Sequence, residues 1–232
     1  MTAHLEGAEP ALRVEDLTVE YPGKPPRVAV RGANLTVPVG GSLALVGPSG
    51  SGKSSLLLAI AGVIEAEGRV SSFGRRIDEL PAHRRGIGMV FQDGQLFPHL
   101  DVGGNVGFGL RMAGIGGDER EIRVVEVLEL VGLAGFEGRE ISALSGGERQ
   151  RVALARTLAP GPKVVLLDEP LSSLDQELRE RLAVEVPAVL RRAGASWIVV
   201  THDPREAEAM ADRVVRMDDG QLTTDAQTNS GT

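Results

Sequence analysis

The chain has 232 residues, 42% of them hydrophobic, and a formal net charge of −7. This is enough for one large α/β domain, and the acidic balance argues against a general nucleic-acid binder, which would present a basic face. No cysteine is present, which excludes a disulfide framework and a thiolate metal site, and no stretch approaches the roughly 20 apolar residues of a membrane helix.

Residues 1–10 are polar and small and are expected to form a disordered tail. Met1-Thr2-Ala3-His4 does not open a basic-then-apolar secretory signal. Leu12 to Val19 alternates as a strand does, and Tyr21-Pro22-Gly23 turns it. Val28 to Val37 reads as a second strand and Leu43 to Val46 as a short buried third. The three are expected in one mixed sheet around the loop that follows. Tyr21 is the only tyrosine. At a strand end its ring either stacks on a purine base or packs on its own sheet.

Gly47-Pro48-Ser49-Gly50-Ser51-Gly52-Lys53-Ser54 matches G-x-x-x-x-G-K-S. Glycines let the backbone curl tightly and aim successive N–H groups at phosphate oxygens. Lys53 reaches the β- and γ-phosphates as a point charge, and Ser54 offers a hydroxyl to Mg²⁺. Ser55 stands next to these contacts. Ser54 to Ala61 reads as a helix whose positive end faces the loop.

Gly68 to Gly74 reads as a strand and turn, and Pro81 to Arg85 as a solvated basic turn. Ile87 to Phe91 is a strand, and Gln92 follows it. Its carbonyl oxygen suits a metal ion or a water, and equally an ordinary strand end. Leu96-Phe97-Pro98 is apolar for a loop, which points to contact with a partner. His99 reads as structural, because no second ligand stands at metal spacing.

Residues from about 93 to 158 are expected to be mainly helical, an insertion between two core strands. Asp118 and Glu121 have capping-box spacing. Ile122, Val125, Leu128 and Leu130 then supply an apolar face, and Gly132 ends that helix. Ser145 and Glu148 repeat the capping-box spacing around Gly146-Gly147. Bare backbone N–H groups at this helix start make a second anion site.

Val164 to Leu167 reads as a buried strand from its unbroken apolar run, and it delivers Asp168-Glu169 to a sheet edge. There Asp168 suits a water-bridged Mg²⁺, and Glu169 suits polarising the water that attacks the γ-phosphate. A helix is expected from about Gln176 to Arg192, with Pro187 kinking or interrupting it. Trp197 to Val200 is a strand ending at Thr201-His202. Asp203-Pro204-Arg205-Glu206 is a helix start, so His202 sits on a corner that can address a ligand. Val214 to Met217 is a last strand, and residues 223–232 are expected to be a disordered tail.

Taken together, these stretches resemble the ATP-binding cassette ATPases over roughly Leu12 to Leu222. The run Leu144-Ser145-Gly146-Gly147-Glu148-Arg149-Gln150 looks like that family's own signature. Gln92, Ser172 to Asp175 and His202 fall at its Q-loop, D-loop and switch histidine. The resemblance implies an α/β fold: a P-loop NTPase core of the ABC ATPase type over residues 11–222, with an antiparallel β subdomain and an inserted helical subdomain.

It also implies ATP and Mg²⁺ as cofactors and a head-to-tail dimer of cassettes, expected to be a homodimer. Each ATP would lie between one subunit's phosphate loop and the other's Ser145, Gly146 and Gly147. Asp175 would pass information across the dimer, Tyr21 would stack on adenine, and His202 would contact the γ-phosphate. Ser54, Gln92 and Asp168 would hold the metal.

Phe91-Gln92-Asp93 with Leu96 to Leu100 looks most like the bacterial importer cassettes for thiamine, iron(III), sulfate, molybdate and polyamines. In length the chain resembles their short members. This implies an ATPase that powers import through a separate membrane permease, with a substrate-binding protein outside and the cassette on the cytoplasmic face of the membrane. Phe97, Pro98 and Leu100 are the expected permease contact, and no nucleic-acid partner is expected. A cassette acting on nucleic acid or the ribosome, or one powering export, is the alternative. Gly103-Gly104 and Pro187 depart from the importer pattern.

Overall fold

The computed structural model describes residues 9–92 and 94–223. The expected tails lie outside the described residues except at Glu9, Pro10 and Thr223. Among the described residues no helix is long and apolar enough to cross a membrane.

Two sheets organise the chain. Strands β1 (Leu12–Tyr21), β2 (Arg27–Val37), β4 (Glu67–Ser72) and β5 (Arg75–Arg76) form an antiparallel sheet in the order β2-β1-β4-β5. Strands β3 (Ser42–Val46), β6 (Ile87–Val90), β7 (Val164–Asp168), β8 (Ser196–Val200), β9 (Arg213–Asp218) and β10 (Gln221–Thr223) form the second, in the order β10-β9-β3-β8-β7-β6. It is parallel except for the β9–β10 hairpin. The single mixed sheet expected of β1, β2 and β3 is therefore corrected. β3 is apolar on both faces and pairs between β8 and β9, whereas the alternating β1 and β2 pair with each other.

Side-chain alternation along the parallel strands divides the core in two. Val165, Leu167, Trp197 and Val199 face a layer of helices. Val164, Leu166, Ile198 and Val200 face helix α1 (Lys53–Ala61) and the antiparallel sheet. Trp197 is fully buried, and its indole N–H donates to the Met210 carbonyl at 2.7 Å.

Between β6 and β7 run α2 (Val102–Val106), α3 (Phe108–Met112), α4 (Gly117–Leu130) and α5 (Gly146–Leu158). The Asp118 capping box does not form. The helix starts at Gly117 behind a Gly116 cap with no side-chain bond, so Asp118 falls inside the first turn, where its charge suits the helix dipole. The apolar face also differs. Val124, Val127, Leu128 and Val131 are buried at i, i+3, i+4, i+7 spacing, while Ile122 is 63% and Val125 40% exposed.

Glycines at 103 and 104 have a packing reason. The Gly103 N–H donates to the Glu137 carbonyl at 2.7 Å, and a Cβ on Gly103 would stand 3.1 Å from that oxygen. The Gly104 N–H is capped by Asp101.

Helix α6 (Gln176–Arg192) runs through Pro187 without interruption. The proline removes one backbone donor, but Leu182, Ala183, Val186, Val189 and Leu190 are buried around it and hold the helix in place. Helix α7 (Pro204–Met210) starts at Asp203, whose carboxylate accepts from the N–H groups of Arg205 and Glu206.

The basic turn is not fully solvated. After a single 3₁₀ turn, Ala82–Arg84, the Arg85 guanidinium donates to the carbonyls of Ala59 and Ile60 at 2.9 Å each. It also donates to those of Leu80 and Asp78. The Ala59 and Ile60 carbonyls lie in the last turn of α1, where a cation is electrostatically favoured.

Candidate functional site

The phosphate loop connects β3 to α1 at the carboxyl edge of the parallel sheet, where open α/β sheets bind ligands. Its glycines are required by space as well as by conformation. Gly47 has φ +151° and Gly52 φ +104°. A Cβ on either would lie 2.0 Å from the Met217 carbonyl oxygen or 2.1 Å from that of Ala29. The loop is thus pressed against β9 and β2.

Gly52 caps α1 without a side-chain bond, and no acidic residue stands in the first turn. That leaves a positive helix end with free donors. Lys53 is 4% exposed. Its ammonium donates to the Gly47 and Pro48 carbonyls at 2.9 Å each, and to Ser51 Oγ at 3.4 Å. Burial lowers its pKa, and the nearby charges of Glu169 and Asp168 partly restore it.

Ser54 Oγ donates to Asp168 Oδ1 at 2.8 Å, so the start of α1 is tied to the end of β7. Burial raises the Asp168 pKa, opposed by the Ser54 hydrogen bond; the Glu169 charge raises it further and the Lys53 charge lowers it. Glu169 takes φ +44°, a left-handed conformation costly for a non-glycine residue. Its N–H donates to the Val200 carbonyl at 3.0 Å, and its carbonyl accepts from the Ser172 N–H and hydroxyl. The backbone around Glu169 thus over-determines its position. Its carboxylate Oε2 lies 3.4 Å from His202 Nδ1.

A cleft of about 190 Å³ opens over the loop, lined by Tyr21, Arg27, Ala29, Ser49, Gly50, Gly52, Lys53, Ser54, Ser55 and Glu169. Tyr21 Oη and Ser55 Oγ are 3.1 Å apart. Sequence reasoning missed Arg27, which lines this cleft and donates to the Gly50 carbonyl at 3.5 Å. The signal was a cation opening the strand that carries the loop's neighbour Ala29.

The remaining candidates lie elsewhere. Gln92 follows β6 with an exposed side chain and does not line the cleft. Ser145, Gly146, Gly147 and Asp175 do not line it either. Ser145 caps α5 with both capping-box bonds made. A Cβ on Gly146 would stand 3.1 Å from Leu174, and one on Gly147 3.0 Å from Leu178. Those glycines therefore let the α5 start pack closely on the segment that carries Asp175. Asp175 caps α6 by accepting from the Leu178 N–H.

The loop after Gln92 is less exposed than expected. The Phe97 ring packs tilted against that of Phe108, 4.5 Å between centroids, and the Phe97 backbone N–H and carbonyl both bond the buried Asn105 side chain. Pro98 and His99 remain exposed, and Leu100 is half-buried.

Among the described residues no group of three or more His, Asp or Glu side chains is placed to hold a metal ion. Ser54 Oγ and Asp168 Oδ1 are hard oxygen donors side by side above the loop. They fit a divalent cation that takes its other ligands from phosphate and water.

The ABC transporter family matches residues 30–172 of the chain. The Fe(3+) ions import ATP-binding protein FbpC of Streptomyces avermitilis is 50% identical over 212 residues, 91% of this chain and 61% of that protein. The spermidine/putrescine import ATP-binding protein PotA of Rubrobacter xylanophilus is 45% identical over 221 residues, 95% of this chain and 58% of that protein. The chain thus spans about three fifths of the length of these relatives. The dimeric, post-hydrolysis ATP-binding cassette MJ0796 bound to ADP and Pi superposes with a TM-score of 0.82 at 31% identity, covering 95% of this chain and all of that one. The structure of cbiO1 from Clostridium perfringens, part of the ABC transporter complex cbiONQ, does so with 0.82 at 30% identity, covering 93% and 87%. Matched over more than half its length by the family and over nearly all of it by solved cassettes, the chain belongs to the ABC transporter family and has the fold of its ATP-binding cassettes.

Proposed function

We propose that the chain binds ATP with Mg²⁺ and hydrolyses it, as the subunit that powers import of a small solute through a separate membrane permease. The observation that carries the reading is one edge of one sheet. There Lys53, the Ser54–Asp168 pair and the Glu169–His202 pair converge on a phosphate loop.

The roles follow from chemistry. Backbone N–H groups of the loop and α1 bind the phosphates, and Lys53 adds a point charge. Tyr21 presents its ring at the rim of the cleft to the adenine. Ser54 and Asp168 would hold Mg²⁺, with Gln92 reaching the site only if its segment moves inward. The cation would neutralise charge on the β- and γ-phosphates. Glu169 accepts a proton from the attacking water, and His202 orients that carboxylate and faces the γ-phosphate.

Ser145, Gly146, Gly147 and Asp175 lie off the cleft of their own chain. Their anion-binding geometry is used if a second copy supplies it, head to tail, to close the nucleotide between two cassettes. The dimeric state of the MJ0796 cassette supports this, and a homodimer is the reading adopted. The relatives' names as import ATP-binding proteins support coupling to a permease. They support attachment to the inner face of the membrane through it, and a substrate-binding protein outside. The exposed Pro98 beside the anchored Phe97 is the edge offered to the permease.

The test is co-purification of tagged Glu169→Gln protein from its native membranes with ATP and Mg²⁺. A multi-span membrane protein in the eluate supports the reading. Ribosomes or nucleic acid with no membrane protein would replace import by the alternative role.

A further inference from the structure

Among the described residues two buried side-chain atoms have no hydrogen-bond partner, Arg179 Nε and Glu206 Oε1. They are not scattered. Both residues line one cleft of about 310 Å³ between α6 and α7, separate from the nucleotide cleft. Glu206 is only 7% exposed. Glu206 is a buried carboxylate and Arg179 a half-buried guanidinium whose Nε is out of reach of water, and such polar atoms are costly to leave unpaired. No hydrogen bond or ion pair joins the two; they line the same cleft, near enough for the Arg179 charge to act on Glu206 across it.

Each side chain is anchored to a different functional segment. Arg179 Nη2 donates to the Leu174 carbonyl at 2.9 Å and to that of Ser172 at 3.5 Å, so it grips the loop that runs from Glu169 to Asp175. Glu206 stands in the first turn of α7, directly after the corner carrying His202. Burial raises its pKa, and the Thr201 hydroxyl and the Arg179 charge pull it back. The corner itself is braced by the Asp203 N–H, which donates to Thr201 Oγ1 at 3.1 Å.

We propose that Arg179 and Glu206 are positioning residues whose facing charges couple the His202 corner to the Ser172–Asp175 loop. Glu206 holds the strand-to-helix corner, Arg179 holds the loop, and the pair sets the distance between them. The inference rests on the reading of the chain as an ATPase. Neither residue touches the nucleotide cleft, so the pair acts on turnover rather than on binding.

The experiment compares ATP turnover by the wild type, Glu206→Gln, Arg179→Lys and the double variant, with nucleotide affinity measured in parallel. Each single change is expected to lower kcat about tenfold with KM within about twofold, and the double variant is expected to be no worse than the poorer single. Trp197 is the only tryptophan and bonds the end of α7, so its emission checks that each variant is folded. Singles with wild-type kcat, or losses that multiply in the double, overturn the coupling. Loss of the folded emission in both singles assigns the pair to stability and overturns it too. No turnover by the wild type itself would overturn the ATPase reading and this inference with it, whereas normal wild-type turnover with unaffected variants removes this inference alone.

Discussion

Glu169 Oε2 and His202 Nδ1 stand 3.4 Å apart, one at the end of β7 and the other at the end of β8. The two strands are parallel neighbours, with Asp168 level with Val200. Glu169 stands one residue past the end of β7 and His202 two residues past the end of β8, so the sheet itself sets the contact. Replacing His202 by Ala leaves the Glu169 side chain without its orienting partner. The expected outcome is a fall in kcat of about 10² with nucleotide affinity within a few-fold. Steady-state kinetics beside equilibrium nucleotide binding checks it.

Tyr21 separates stacking from hydrogen bonding. Tyr21→Phe removes only the contact with Ser55 and is expected to bind ATP nearly as well as the wild type. Tyr21→Ala removes the ring and is expected to weaken ATP by about 1–3 kcal/mol. Titration of both variants with a fluorescent ATP analogue reads the difference.

Asp168 sets function against stability. Its pKa is raised by burial, so the folded state holds the proton more tightly than the unfolded chain. That stability is present below the unfolded pKa, about 4, and is lost as pH rises through the folded value. Asp168→Asn should therefore melt at or above the wild-type temperature at neutral pH, with the advantage shrinking as pH falls towards 4. The same variant should lose Mg²⁺-dependent turnover. Melting curves across pH, paired with assays across Mg²⁺ concentration, test both halves.

Arg85 anchors the phosphate-loop helix from behind, through four carbonyls. Arg85→Ala is expected to cost about 2–4 kcal/mol of stability, because buried carbonyls lose a charged donor. Arg85→Lys should rescue little, since an ammonium lacks the planar fork. Denaturant unfolding measures both.

The parts of the site that were legible in the sequence are those whose geometry is local. The Gly47–Ser54 turn, the Ser145 cap with Glu148 and the Asp203 cap each depend on residues two to seven apart, and each forms. What stayed hidden depends on distant contacts. Arg85 reads as a surface charge until α1 lies beside it. The close approach of Gly103 to the Glu137 carbonyl spans the whole of α4. On α4 itself two adjacent apolar stripes compete, and only packing on α2 and α5 decides that Val124 and Val127 are buried and Ile122 is not. Pro187 reads as a breaker because local propensity ignores the core that holds α6 together. Asn105 gives no sequence signal, yet it holds the loop around Phe97.

The central claim is that Glu169 drives hydrolysis in a site completed by a second copy. One preparation of Glu169→Gln tests it, by turnover rate and by solution mass with and without ATP. The account predicts turnover lowered by about 10²-fold or more, with ATP-dependent conversion of monomer to dimer. Wild-type turnover, or a monomer that ATP leaves unchanged, would contradict it.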